Sequence, residues 1–205
     1  VTTEIAEELI YNLLTEEQRG LILREKQIDF DYRLEDKARF RVNVYFQRGY
    51  LAASLRLIPA RIRSLDELGL PPILHEFGKL SQGFVLAVGP AGHGKSSTLA
   101  GILDEVNHTR SDHIITIEDP IEYLFTQDRC IISQREVGSD TPSFHAALRN
   151  VLRQDPDVIM IGEMRDAVSI STAMTAAETG HLVFSTLHTN SASQTIDRII
   201  DSFPS

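Results

Sequence analysis

Residues 89–96 read Gly89-Pro90-Ala91-Gly92-His93-Gly94-Lys95-Ser96 and fit G-x-x-x-x-G-K-[ST]. Glycines there let the backbone turn so that successive N–H groups point into one concavity. Such a concavity, opening onto a helix N-terminus, suits an anion. Lys95 would reach the β- and γ-phosphates of a nucleotide, and Ser96 would offer its hydroxyl to Mg²⁺. Ser97 follows directly, so Gly89 to Ser97 form the expected nucleotide-binding set. The flanks supply the context: "GFVLAVG" reads as a buried strand, and "SSTLAGILDEVNH" as a helix with Leu99, Ile102, Leu103 and Val106 on one face. Taken alone, the motif could also be an ordinary glycine turn between strand and helix.

Acids end two further apolar runs. "IITIEDPIE" carries Glu118, Asp119 and Glu122, and "DVIMIGEMRD" carries Gly162-Glu163. A nucleoside triphosphatase needs oxygen ligands for Mg²⁺ and a carboxylate to position or deprotonate the attacking water. An apolar strand followed by an acid usually supplies a metal-binding aspartate, but here glycine holds that place. Glu163 therefore suits the water better than the metal. Ser96 and Glu122 become the metal-side candidates, Glu122 acting through waters. The competing reading is that these acids are solvated strand-end charges or helix caps, and it stays open for Glu118 and Asp119.

His181 and His188 flank one run, "HLVFSTLH". An odd spacing of seven puts them on opposite faces of a strand, at about 3.3 Å per residue far apart, so they cannot share one metal. His188 falls at the carboxyl end, where it could sense or polarise a γ-phosphate. His181 falls at the other end and fits a structural or interface role.

The elements that must position these residues follow from pattern. The chain has 205 residues, 42% hydrophobic and 24% charged, with a net charge of −9. That describes an ordinary globular chain and argues against a mainly electrostatic nucleic-acid binder. No apolar run approaches the ~18 residues of a membrane span, and no basic-then-apolar leader opens the sequence. Cys130 is the single cysteine, which excludes an internal disulfide and a thiolate zinc site and suits a small buried thiol. These features fit the cytoplasm.

Residues 1–60 read as a separate module. "TTEIAEELIYNLL" is helical by its spacing, and Thr15 to Gln18 fit a capping box that starts a second helix. "ARFRVNVYF" alternates, with Phe40, Val42 and Val44 facing one way and Arg39, Arg41 and Asn43 the other. "LAASLRLI" reads as another strand, and residues 61–75, with Gly69, Pro71 and Pro72, as a connector. From residue 76 onward strands and helices alternate. Strands are expected at 113–117, 130–134, 157–161 and 181–186, and helices at 143–153, 166–179 and 191–201. Asp140-Thr141-Pro142 reads as a helix start and Gly180 as a helix stop. This order implies an α/β fold with a mostly parallel sheet. The run "DRIIDSFPS" follows directly on a helix, as expected of a piece of a longer protein.

These residues carry a family resemblance. "GPAGHGKSSTLA", "IITIEDPIEYLF", "ISQREVGSDTPSFHAALRNVLRQDPDVIMIGEMRD" and "TAAETGHLVFSTLHTNSASQTIDRIIDSFP" resemble the PilT family of secretion ATPases, the type IV pilus retraction motors. "RFRVNVYFQRG" and "LRLIP" resemble that family's small PAS-like α+β domain. The resemblance runs in order over nearly the whole chain. It implies a RecA-like P-loop core over residues 76–205 behind that domain, in a homohexameric ring with nucleotide held between the two. It also implies Mg²⁺-dependent ATP hydrolysis driving pilus retraction and twitching motility, with an inner-membrane pilus platform protein as partner. The location implied is cytoplasmic, peripheral at the inner membrane without insertion. Matched residue by residue, Glu163 is the catalytic acid, Glu122 the key acid of the Asp box, and His181 and His188 lie in the His box. Arg41 and Arg56 match positions that reach the phosphates from the N-terminal domain.

Three departures stand out. His93 replaces a small residue, the family's C-terminal helices lie beyond the chain, and the N-terminus is short. Pilus assembly motors and type II secretion ATPases share most of these boxes but usually add a paired-cysteine zinc motif. A nucleotide-binding module with negligible turnover is the other alternative.

Overall fold

The computed structural model describes residues 2–35, 38–59, 61–189 and 191–203. The chain falls into two compact units, Val1–Ala60 and Arg61–Ser205. In the first, α1 (Thr3–Leu13) and α2 (Glu16–Glu25) precede an antiparallel meander of β1 (Gln27–Leu34), β2 (Ala38–Gln47) and β3 (Tyr50–Ile58). The Thr15 hydroxyl accepts from the Gln18 N–H while the Gln18 side chain accepts from the Thr15 N–H, closing the expected capping box. Val42 and Val44 are buried against Ile10, Leu14 and Ile22 from the helices. Arg39, Arg41 and Asn43 therefore line the opposite face. β1 was not anticipated, although Ile28, Phe30, Tyr32 and Leu34 alternate with Asp29, Asp31 and Arg33 along it.

In the second unit a short helix α3 (Leu74–Lys79) leads to β4 (Gly83–Val88) and α4 (Lys95–Thr109). The chain continues as β5 (His113–Glu118), β6 (Ile131–Glu136), α5 (Phe144–Val151), β7 (Val158–Ile161), α6 (Ala167–Glu178), β8 (Leu182–Leu187) and α7 (Ala192–Ile200). The sheet order is β4-β8-β7-β5-β6 and every pairing is parallel. Alternate residues of each strand feed two cores. Phe184, Met160 and Ile114 pack with Leu99, Leu103 and Val106 of α4. Val183, Ile159 and Ile117 pack with Leu148 of α5 and Ile170 and Ala173 of α6. Both faces are thus covered, which is the usual condition of a parallel sheet.

Two local readings differ from expectation. Residues 61–75 pack within the second unit: Leu65 is buried and joins the α4 core with Leu70 and Leu74. Helix α5 starts from Ser143, whose hydroxyl accepts from the Ala146 N–H, rather than from Asp140-Thr141-Pro142. Asp140 is taken up by the turn after β6, where its carboxylate accepts from the Glu136 N–H. Cys130 is buried as expected, and burial pushes its thiol pKa up.

Candidate nucleotide site

Because all five strands run parallel, their carboxyl ends share one edge of the sheet, where ligands collect in folds of this kind. The glycine loop leaves β4 there, the Glu118–Glu122 stretch leaves β5, Gly162-Glu163 leaves β7 and His188 leaves β8. The topology thus gathers four segments that lie far apart in sequence. Arg41 and Arg56 belong to the first unit. They are direct cross-strand partners on β2 and β3, and neither forms an ion pair with any described residue. On its other side Arg41 faces Asp31 of β1 as a direct cross-strand partner.

Gly94 ends the loop at φ 80°, a left-handed conformation, and caps α4 with no side-chain hydrogen bond. The first N–H groups of a helix have no intrahelical partner, so those of Lys95, Ser96 and Ser97 remain available to a ligand. A Cβ at Gly92 or Gly94 would meet no heavy atom within 4 Å, so the loop opens onto free space. Lys95 Nζ donates to the carbonyls of Gly89 at 2.9 Å and Pro90 at 3.0 Å. Nucleotide phosphates would offer it stronger, anionic acceptors than these neutral carbonyls. The His93 ring bonds to the Ala91 carbonyl at 3.1 Å and is otherwise exposed. The donor set fits a nucleotide phosphate. Among the described residues no cluster of three or more His, Cys, Asp or Glu could hold a metal alone. Ser96 in the first turn of α4 and the exposed carboxylate of Glu122 are oxygen donors of the kind Mg²⁺ takes.

Glu163 is fixed from two sides. Arg165 donates to its Oε2 from Nε at 3.0 Å and approaches it with its second nitrogen at 2.9 Å. His188 Nε2 stands 3.5 Å from Oε1. The same loop is tied to β8, with the Thr186 hydroxyl donating to the Gly162 carbonyl at 2.7 Å. The glycine at 162 has a steric reason. A Cβ there would lie 3.3 Å from both the Glu118 Cα and the Ile117 carbonyl. A side chain in that place would press on the backbone of β5.

The acids after β5 separate sharply. Glu118 is buried, accepts from the Thr116 hydroxyl at 2.6 Å and the Gln134 amide at 3.2 Å, and has its pKa pushed up by burial. Asp119 and Glu122 stay exposed. The loop bearing Glu122 is pinned to β6, with the Ile121 N–H on Glu136 and the Phe125 N–H on Gln134, each at 2.9 Å. It meets α4 through Tyr123, whose hydroxyl lies 2.7 Å from that of Ser97. His181 sits at the far end of β8, its ring on the Ala176 carbonyl at 2.9 Å, bracing the end of α6.

Sequence reasoning did not single out Tyr123, Gln134, Arg165 or Thr186. Only Arg165 carried a local signal, two residues from Glu163. The others act through partners that sheet order alone brings near.

A family model described as type II/IV secretion system protein matches residues 24–202. The type IV pilus retractation ATPase PilT of Pseudomonas aeruginosa is 47% identical over 96% of this chain and 57% of its own length. A twitching motility protein of Neisseria gonorrhoeae is 46% identical over 96% of this chain and 52% of its own. The crystal structure of the pilus retraction motor PilT with bound ADP superposes with a TM-score of 0.91 at 52% identity. That match covers 96% of this chain and 57% of the other. The chain therefore spans just over half the length of these relatives.

Proposed function

The chain belongs to the type II/IV secretion system protein family, and we propose that it carries the ATP-hydrolysing core of a motor that retracts type IV pili. One observation carries the reading: the glycine loop, Glu163 and His188 meet on one sheet edge. The relatives named for pilus retraction and twitching motility supply the task.

In this reading the backbone N–H groups of residues 92–97 and Lys95 bind the phosphates of ATP. Mg²⁺ would offset charge on the β- and γ-phosphates, with Ser96 and, through water, Glu122 holding it. Glu163 orients a water and accepts its proton as the water oxygen bonds to the γ-phosphorus and the bond from that phosphorus to the bridging oxygen breaks, releasing ADP and phosphate. His188, 3.5 Å away, stabilises the charge that moves through that carboxylate. Arg41 and Arg56 are the further cations expected to counter the γ-phosphate charge, and an arginine in that role is worth about 10³–10⁵ in rate. The working form is a homohexameric ring at the cytoplasmic face of the inner membrane, acting on a pilus platform protein and not on nucleic acid.

Glu163→Gln separates binding from chemistry. It should leave ATP affinity within about twofold and lower phosphate release by at least about 10²-fold, the scale of a lost general base. Turnover near that of the unsubstituted chain would remove Glu163 from the role of base.

A further inference from the structure

We propose that Tyr123 is a positioning residue for the nucleotide site. Through Ser97, its hydroxyl holds the loop bearing Glu122 against the helix bearing Ser96. The proposal rests on the reading of residues 89–97 as the nucleotide loop.

The loop from Asp119 to Phe125 makes two kinds of contact. Its backbone is bound to side chains of β6: the Ile121 N–H to Glu136, and the Tyr123 carbonyl and Phe125 N–H to Gln134. Those bonds fix it to the strand farthest from β4 in the sheet order. They say nothing about its distance from the phosphate loop. The Tyr123–Ser97 hydroxyl pair, at 2.7 Å, is the one hydrogen bond among the described residues that joins this loop to the first turn of α4. Its two ends lie next in sequence to the two groups expected on the Mg²⁺ side. Ser97 adjoins Ser96 and Tyr123 adjoins Glu122, so the bond ties together the two segments that carry those groups. Mg²⁺ is exacting about where its oxygen donors stand. The contact is specific to hydroxyls: phenylalanine at 123 would keep the ring packing and lose only the tether, and threonine at 97 would keep it.

The test uses the whole chain, with Tyr123→Phe, Ser97→Ala, the double variant and Ser97→Thr, beside Lys95→Ala. Two readouts are taken. Hydrogen exchange of the 119–125 amides without nucleotide reports the tether itself. The Mg²⁺ concentration for half-maximal ATP binding, set against ATP affinity without Mg²⁺, reports its consequence. Each single variant should speed exchange and raise the Mg²⁺ midpoint about fivefold, the value of one net hydrogen bond. Metal-free affinity should stay unchanged in Tyr123→Phe. The double variant should raise the Mg²⁺ midpoint and the exchange no further than the singles, and Ser97→Thr, which keeps a hydroxyl, should keep the slow exchange of the 119–125 amides. Wild-type midpoints in both single variants, with Lys95→Ala still abolishing binding, would overturn the assignment while leaving the nucleotide reading intact. Effects of the two single variants that multiply in the double would overturn it as well. If the unsubstituted chain bound no ATP, the nucleotide reading would fall and the assignment with it.

Discussion

Gly162→Ala probes why glycine stands where an aspartate would normally hold the metal. The added Cβ would sit 3.3 Å from the Glu118 Cα and 3.3 Å from the Ile117 carbonyl. Both are backbone atoms of β5, a strand paired on both sides by β6 and β7, so neither neighbour yields by a side-chain rotation. Gly162 also keeps its own place through its N–H to the Ile117 carbonyl at 2.8 Å. Its φ lies outside the left-handed region, so backbone strain does not confuse the result. Overpacking costs about 1–3 kcal/mol, and the stiffer unfolded chain returns about 0.4–1 kcal/mol. Taking the middle of each range, about 2 against about 0.7 kcal/mol, the net loss is about 1.3 kcal/mol, or about 3–5 °C in melting temperature for a unit of this size. Thermal denaturation followed by circular dichroism, with the second unit's transition resolved, reads it. Gly162→Asp should lose more, because its carboxylate would also press on the buried Glu118. A melting temperature for Gly162→Ala equal to or above that of the parent would refute the close approach and the steric account with it.

Three further outcomes follow from other parts of the molecule. Gly20 lies inside α2, where a Cβ would meet nothing within 4 Å, so Gly20→Ala should stabilise the first unit by about 1 kcal/mol in urea denaturation. The raised pKa of Glu118 means the folded chain binds its proton more tightly than the unfolded chain. Stability should therefore fall as pH rises from the ordinary carboxyl range through the raised value. Glu118→Gln should raise the melting temperature at pH 7 and flatten that slope. His75 has its pKa raised by its hydrogen bond to Glu105 at 2.7 Å, with Asp66 also adding. Its contribution should be complete below the ordinary histidine range, about pH 6.5, and vanish above the raised value. His75→Ala should lose stability at pH 6 and little at pH 8.5, measured by thermal melts.

Local pattern made much of this molecule legible. The Thr15–Gln18 box, the alternation of β2 and the amphipathic spacing of α4 all depend on neighbours a few residues apart, and all appear in the structure. The strand at Gln27–Leu34 had the same alternation and could have been read. Helix α3 could not, because six residues are too few to display a helical period. Asp140-Thr141-Pro142 misled because three polar or helix-starting residues compete locally, and the hydrogen bond of Asp140 to Glu136 decides against it. In the site, the glycine loop announced itself by spacing. The burial of Glu118, the clash behind Gly162 and the Tyr123–Ser97 bond did not. Each depends on β5 lying beside β7 and across from α4, a long-range arrangement that no run of adjacent residues encodes.

The most direct test of the account is the steady-state release of phosphate from ATP by this chain, with and without Mg²⁺, over a range of protein concentrations and beside Lys95→Ala. The account predicts Mg²⁺-dependent turnover whose specific activity rises with concentration as neighbouring copies complete one another's sites, and none in the variant. Phosphate release that persists in Lys95→Ala, or ATP binding with no release at any concentration, would contradict it.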